Sequence, residues 1–108
     1  MTVLFRLAGQ TFTALNGGPV FQFNEAVSLQ IFCDTQAEID RYWSKLTADG
    51  SESQCGWLKD KFGLSWQVVP ADITKLMTDS VRSDRVMAAV MKMKKLNLAE
   101  MRRAYEGK

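Results

Sequence analysis

Histidine is absent from this 108-residue chain, and cysteine and proline each occur only twice. The missing histidine removes the commonest general base that a nucleophilic cysteine would need, and it removes imidazole from any metal site. Cys33 and Cys55 stand in no Cys-x-x-Cys spacing, so they form neither a disulfide framework nor an ordinary zinc site. No apolar run reaches the roughly 18 residues that a spanning helix requires. The opening Met1-Thr2-Val3-Leu4-Phe5-Arg6 lacks a basic stretch followed by a long apolar core. The expectation is a cytoplasmic protein with no membrane partner. A formal net charge of +2 is too small to argue for nucleic acid. Lys92, Lys94, Lys95, Arg102 and Arg103 cluster near the C-terminus, but with Met and Leu interleaved they read as a solvated helix face.

What is present is ordinary globular material, 46% hydrophobic and 24% charged. A single domain of this size buries roughly two-thirds of its unfolded surface. Val3 to Leu7 and Gln10 to Leu15 are apolar-rich runs separated by Ala8-Gly9, which predicts a hairpin with Phe5, Leu7, Phe12 and Ala14 at alternating positions. Asn16-Gly17-Gly18-Pro19 stops the second run and makes a loop. Ala26 to Cys33 is a third strand, with Val27, Leu29, Ile31 and Cys33 on one face and Ala26, Ser28, Gln30 and Phe32 on the other. Thr35 and Glu38 form a capping box, opening a helix that carries Ile39, Tyr42, Trp43 and Leu46 and closes at Asp49-Gly50. Gln54 to Pro70 reads as two strands joined by a tight turn, Asp60 to Gly63. Its second strand places Leu64, Trp66 and Val68 on one face and Ser65, Gln67 and Val69 on the other. After Pro70 the pattern turns helical: a short helix through Ile73 to Met77, a longer one capped by Ser83, and a last one capped by Asn97.

The hairpin resembles the last strand pair of the PhnB-like branch of the glyoxalase, bleomycin-resistance and extradiol-dioxygenase superfamily, the vicinal oxygen chelate proteins. The resemblance continues through Ala14-Leu15-Asn16-Gly17-Gly18-Pro19 with Phe21 and Phe23, through Tyr42-Trp43, and through Arg85-Val86-Met87 and Met91-Lys92-Met93-Lys94-Lys95. Such proteins are also filed under 3-demethylubiquinone 3-methyltransferase-like names. The resemblance implies an α+β fold, a cupped antiparallel or mixed sheet built from βαβββ modules and followed by C-terminal helices. It maps residues 1–18 onto the last hairpin of a first module, 26–70 onto the second module, and 71–108 onto a helical tail. The start of the first module has no counterpart, so the first module is expected to be truncated, either natively or by shortening of the gene. Two copies that cover each other's open sheet edges would then make a homodimer.

Metal-using relatives place a ligating Glu four residues past the turn glycine, which is Gln67 here, and offer a His where this chain has Ser28 or Gln30. Amide and hydroxyl oxygens are poor ligands for a divalent cation, so no metal and no cofactor are expected. No carboxylate reads as a cavity acid or base; Glu25 alone stands near the glycine loop and could lean over a pocket mouth. The remaining candidates, Asn16, Phe23, Ser28, Cys55, Trp57 and Gln67, suit a small-molecule site of amides, hydroxyls and aromatics, with no catalytic residue among them. The primary expectation is therefore a metal-free small-molecule-binding protein. The alternatives are an enzyme (a lyase, or the methyltransferase of the inherited label) and a remnant without activity. Nothing here resembles the glycine-rich βαβ unit that binds S-adenosylmethionine.

Overall fold

A computed structural model describes residues 1–108. Two regions are distinct. The first is a hairpin, β1 (Thr2–Leu7) and β2 (Gln10–Leu15), forming a two-stranded sheet of its own in which Phe5 pairs with Phe12. Their rings stack with centroids 5.5 Å apart. Ala8 and Gly9 both take positive φ, 50° and 81°, so the connection is the two-residue turn whose twist matches that of the flanking strands. Every residue of the hairpin is exposed except Phe12, which is half-buried.

The second region holds β3 (Ser28–Cys33), α1 (Gln36–Thr47), β4 (Ser51–Glu52), β5 (Trp57–Lys59) and β6 (Ser65–Pro70) in one four-stranded sheet, followed by α2 (Ile73–Leu76), α3 (Ser80–Val90) and α4 (Leu98–Glu106). The sheet order is β3-β6-β5-β4. β3 runs parallel to β6, while β5 is antiparallel to both its neighbours. The fold is thus α+β with a βαβββ unit at its centre.

Alternation decides what each face does. Leu29, Ile31 and Cys33 of β3 share a face with Trp66 and Val68 of β6 and Leu58 of β5. That face meets the apolar stripe of α1, giving a cluster of Cys33, Ile39, Trp43, Leu58 and Val68. Burying each such aliphatic side chain contributes roughly 1.5–3 kcal/mol. Thr35 Oγ1 accepts from Glu38 N at 3.2 Å and starts α1, as the capping pattern predicts. Glu38 returns its carboxylate to Asp34 N rather than to Thr35 N. The turn after β5 is fixed by one side chain: Asp60 Oδ1 accepts from Phe62 N and Leu64 N, and Oδ2 accepts from Trp66 Nε1 at 2.9 Å.

The tail builds a second cluster, Val69, Leu76, Val86, Val90, Met93, Leu96, Leu98 and Met101. It meets the sheet at Gly56, where φ is +84° and an added Cβ would stand 3.1 Å from Leu96 and from the Val68 carbonyl. Gln36 ties it to α1: Nε2 donates to the Leu96 carbonyl at 3.0 Å and Oε1 accepts from Leu98 N at 2.7 Å.

The main sheet is mixed, within the expected fold class, because β3 pairs parallel to β6, and the first hairpin stands apart as a sheet of its own. Two boundaries differ from expectation. The third strand starts at Ser28, not Ala26. The long tail helix is capped by Asp79, whose carboxylate accepts from Arg82 N, and Ser83 lies one turn inside it. No helix is long and apolar enough to cross a membrane.

Candidate functional site

With α1 on one face, the other face of the main sheet displays the alternate residues of each strand. β3 supplies Ser28, Gln30 and Phe32. β6 supplies Ser65, Gln67 and Val69, and β5 supplies Trp57 and Lys59. Parallel register sets Gln30 beside Gln67, and antiparallel register sets Trp57 opposite Gln67 on the other side. The amides bond in a row: Gln30 Nε2 donates to Gln67 Oε1 at 3.3 Å, and Gln67 Nε2 donates to Ser28 Oγ at 2.9 Å. Ser28, Trp57 and Gln67 are half-buried and Gln30 is exposed, so the row borders solvent.

Beside the row lies a cleft of about 260 Å³, lined by Glu25, Ser51, Glu52, Ser53, Trp57, Leu58, Lys59 and Ser65. Its walls follow from register: Ser51 pairs with Lys59 across β4–β5, and Lys59 pairs with Ser65 across β5–β6. Glu25, on the loop leading into β3, forms an ion pair with Lys59 Nζ. The Lys59 hydrogen bond holds the Glu25 carboxyl below its usual range. Glu52 points the other way and accepts from Trp43 Nε1 at 2.8 Å. Ser65 is 1% exposed, and its Oγ has no hydrogen-bond partner.

Of the residues singled out in the sequence, Ser28, Trp57 and Gln67 stand together. Asn16, Phe23 and Cys55 do not join them. Asn16 closes the hairpin, its N–H donating to the Met1 carbonyl, and Phe23 is exposed in the following loop. Cys55 takes a positive φ of 61°, donates its N–H to the Met93 carbonyl and packs against the tail cluster. It stands with the tail rather than on this face, because the tail draws this loop to itself. Cys33 is fully buried, and burial pushes its thiol up. Lys59 and Ser65 are not among the candidate site residues of the sequence, although alternation sets Ser65 on the Gln67 face. What alternation does not signal is that Ser65 is buried and lines the cleft.

The resemblance implies a divalent metal held on this sheet, and the donor set does not fit one. Gln67, Ser28 and Gln30 offer neutral oxygens, and nowhere do three or more His, Cys, Asp or Glu side chains come together as ligands. What the face can do is present amide donors and acceptors, hydroxyls and one indole to a small molecule.

The family described as 3-demethylubiquinone-9 3-methyltransferase matches residues 1–69. A PhnB protein from Bacillus cereus, itself labelled a 3-demethylubiquinone-9 3-methyltransferase, is 35% identical, with a TM-score of 0.61 over 66% of this chain and 64% of that one. A Pseudomonas aeruginosa protein of 19% identity shares the fold, with a TM-score of 0.53 over 65% of this chain and 62% of its own. No curated protein matches. The chain thus spans slightly under two-thirds of either relative's length. With the family matched through the end of the main sheet and a PhnB protein 35% identical, the chain belongs to the PhnB-like branch of the 3-demethylubiquinone-9 3-methyltransferase family.

Proposed function

We propose that the open face of the main sheet binds a small organic molecule without a metal, and that the protein works as a homodimer. The observation that carries the first half is the bonded row Gln30–Gln67–Ser28 beside Trp57, bordering an open cleft. Small-molecule sites fix their ligands with a few placed polar groups beside an apolar platform. Here Trp57 and Leu58 are the apolar part of a mainly polar lining, and about 260 Å³ lies just below the roughly 300–1,000 Å³ typical of drug-sized ligands. The ligand is therefore small. Native mass spectrometry of the purified protein tests the reading. A bound small molecule, retained through EDTA treatment and lost in the Ser28→Leu/Gln67→Leu double variant, is expected. Bare protein in every preparation, with no rise in melting temperature across a metabolite panel, would overturn it.

The second half rests on the hairpin. Ten of the fifteen large exposed hydrophobics lie within residues 1–27, among them Leu4 at 72% and Phe21 at 91%. A lone two-stranded hairpin is marginal in water. The same chain carries what would complete it: β3 ends the main sheet with an open edge, flanked by exposed Phe32 and Val27. A second copy whose hairpin docks there covers both surfaces reciprocally, as a two-fold axis requires. Sedimentation at micromolar concentration is expected to give a dimer; a clean monomer would rule this assembly out.

A further inference from the structure

The amide row leaves a second set of groups in the cleft unused. Ser65 Oγ is buried, unpartnered and part of the cleft wall. A buried hydroxyl without a partner is costly, and such orphans mark positions where another molecule completes the bond. Lys59 sits directly across from it in register and is the one cation lining the cleft. Its ammonium is engaged by Glu25, from a loop rather than from the sheet, with side chains 40% and 59% exposed. A pair that open is weak and readily exchanged for another anion. Glu52, the other carboxylate of the lining, is committed to Trp43. One carboxylate is thus held on Lys59 by the chain itself, beside a hydroxyl donor that this carboxylate does not satisfy.

We propose that the cleft takes a small organic carboxylate, whose anionic oxygens replace Glu25 on Lys59 Nζ and accept the Ser65 hydroxyl while its body rests on Trp57. The inference rests on the open face being a small-molecule site and adds the ligand's chemical class. Glu25 is then an internal stand-in, and the hydrogen bond that holds its carboxyl below the usual range shows that this position favours a charged carboxylate over a neutral acid. Ser51 and Ser53 put further hydroxyls on the same wall. Exchange at Lys59 would also release the loop that joins the hairpin to the main sheet, because Glu25 tethers that loop across the cleft.

Benzoate titration, followed by calorimetry and tryptophan emission, tests this on the full chain. Glu25→Gln, which removes the competing charge from Lys59, is expected to bind benzoate about two- to fivefold more tightly than the unaltered protein. Lys59→Gln is expected to bind it about tenfold more weakly or worse, and Lys59→Arg to retain binding. Ser65→Ala is expected to weaken it a few-fold without lowering the melting temperature, since the hydroxyl has no partner to lose. Benzoate affinity indifferent to Glu25 and Lys59 would overturn the proposal. Benzamide, of the same shape without the charge, separates the two readings. If benzamide binds and benzoate does not, the anion site falls and the open-face site stands; if neither binds, the anion site falls and the metabolite panel decides the open-face site. Inorganic phosphate that binds with the same Glu25 and Lys59 dependence while benzoate does not would replace the organic carboxylate with an inorganic oxyanion.

Discussion

The hairpin and the main sheet use the same local grammar and reach opposite ends. Both alternate apolar and polar residues, and both form paired strands joined by tight turns. In the main sheet the apolar face finds α1 and disappears: Ile39, Leu58 and Val68 are essentially inaccessible. In the hairpin it finds nothing beyond the single Phe5–Phe12 stack. The molecule is correspondingly long, 53 × 26 × 25 Å, with a radius of gyration of 15.9 Å against about 13 Å for a compact chain of this length. Backbone pairing is therefore enough to make strands, but burial is what makes a fold.

This contrast can be broken by mutation. Met101→Ala, in the tail cluster, is expected to cost about 2–5 kcal/mol in denaturant unfolding, whereas Phe12→Ala should leave the same transition nearly unmoved and act instead on self-association. Equal losses at the two positions would mean that the hairpin belongs to the cooperative unit. Gly56→Ala is next, at about 2–3 kcal/mol, because a Cβ at φ +84° is strained and also meets Leu96 and the Val68 carbonyl. Asp60→Ala, which frees two backbone donors and the Trp66 indole, should cost about 2 kcal/mol and blue-shift or broaden tryptophan emission. In the hairpin the effects are smaller and opposite in sign. Ala8→Gly relieves a positive φ and should stabilise the turn by up to about 1 kcal/mol, visible as slower amide exchange across β1–β2 rather than as a higher global midpoint.

The smallest effect is electrostatic. The Arg102 hydrogen bond holds the Asp72 carboxyl below its ordinary value, joining the start of α2 to α4. A depressed folded value means that the contribution is present above pH about 4 and is lost as pH falls through the folded value. Asp72→Asn should lose that small contribution above pH about 4 while leaving stability in acid unchanged, so that part of the acid sensitivity disappears. Urea midpoints at several pH values measure it.

Much of the fold was legible because its signals are local. Period-two alternation marks residues 65–70, Thr35 marks the start of α1, and Asn97, accepting from Glu100 N, marks the start of α4. What stayed hidden is non-local or ambiguous in kind. Nothing near Ser28 says that its partner lies in β6 or that the pair runs parallel. Asp79 and Ser83 are both good caps one turn apart, and only packing chooses between them. β4, two residues long, is set by its partner Trp57–Lys59 rather than by its own composition. In the candidate site, Ser28, Trp57 and Gln67 fall on one face by alternation. Cys55 goes elsewhere because Met93, almost 40 residues on, captures its N–H. Ser65 reads as an ordinary polar strand residue until its burial is seen.

The parallel bond between β3 and β6 also sets an order of events. Gln30 and Gln67 are 37 residues apart, and everything between them, α1 and two strands, must be made before the pair can close. Long-range closure of this sort is slow relative to helix formation. As the chain emerges during synthesis, the hairpin can form at once from neighbouring residues, while β3 waits with an unsatisfied edge until Pro70 is out. The segment that folds first is thus the one that packs least. For that interval the nascent chain offers an open β3 edge beside a finished hairpin, and intramolecular closure by β6 competes with capture by another chain.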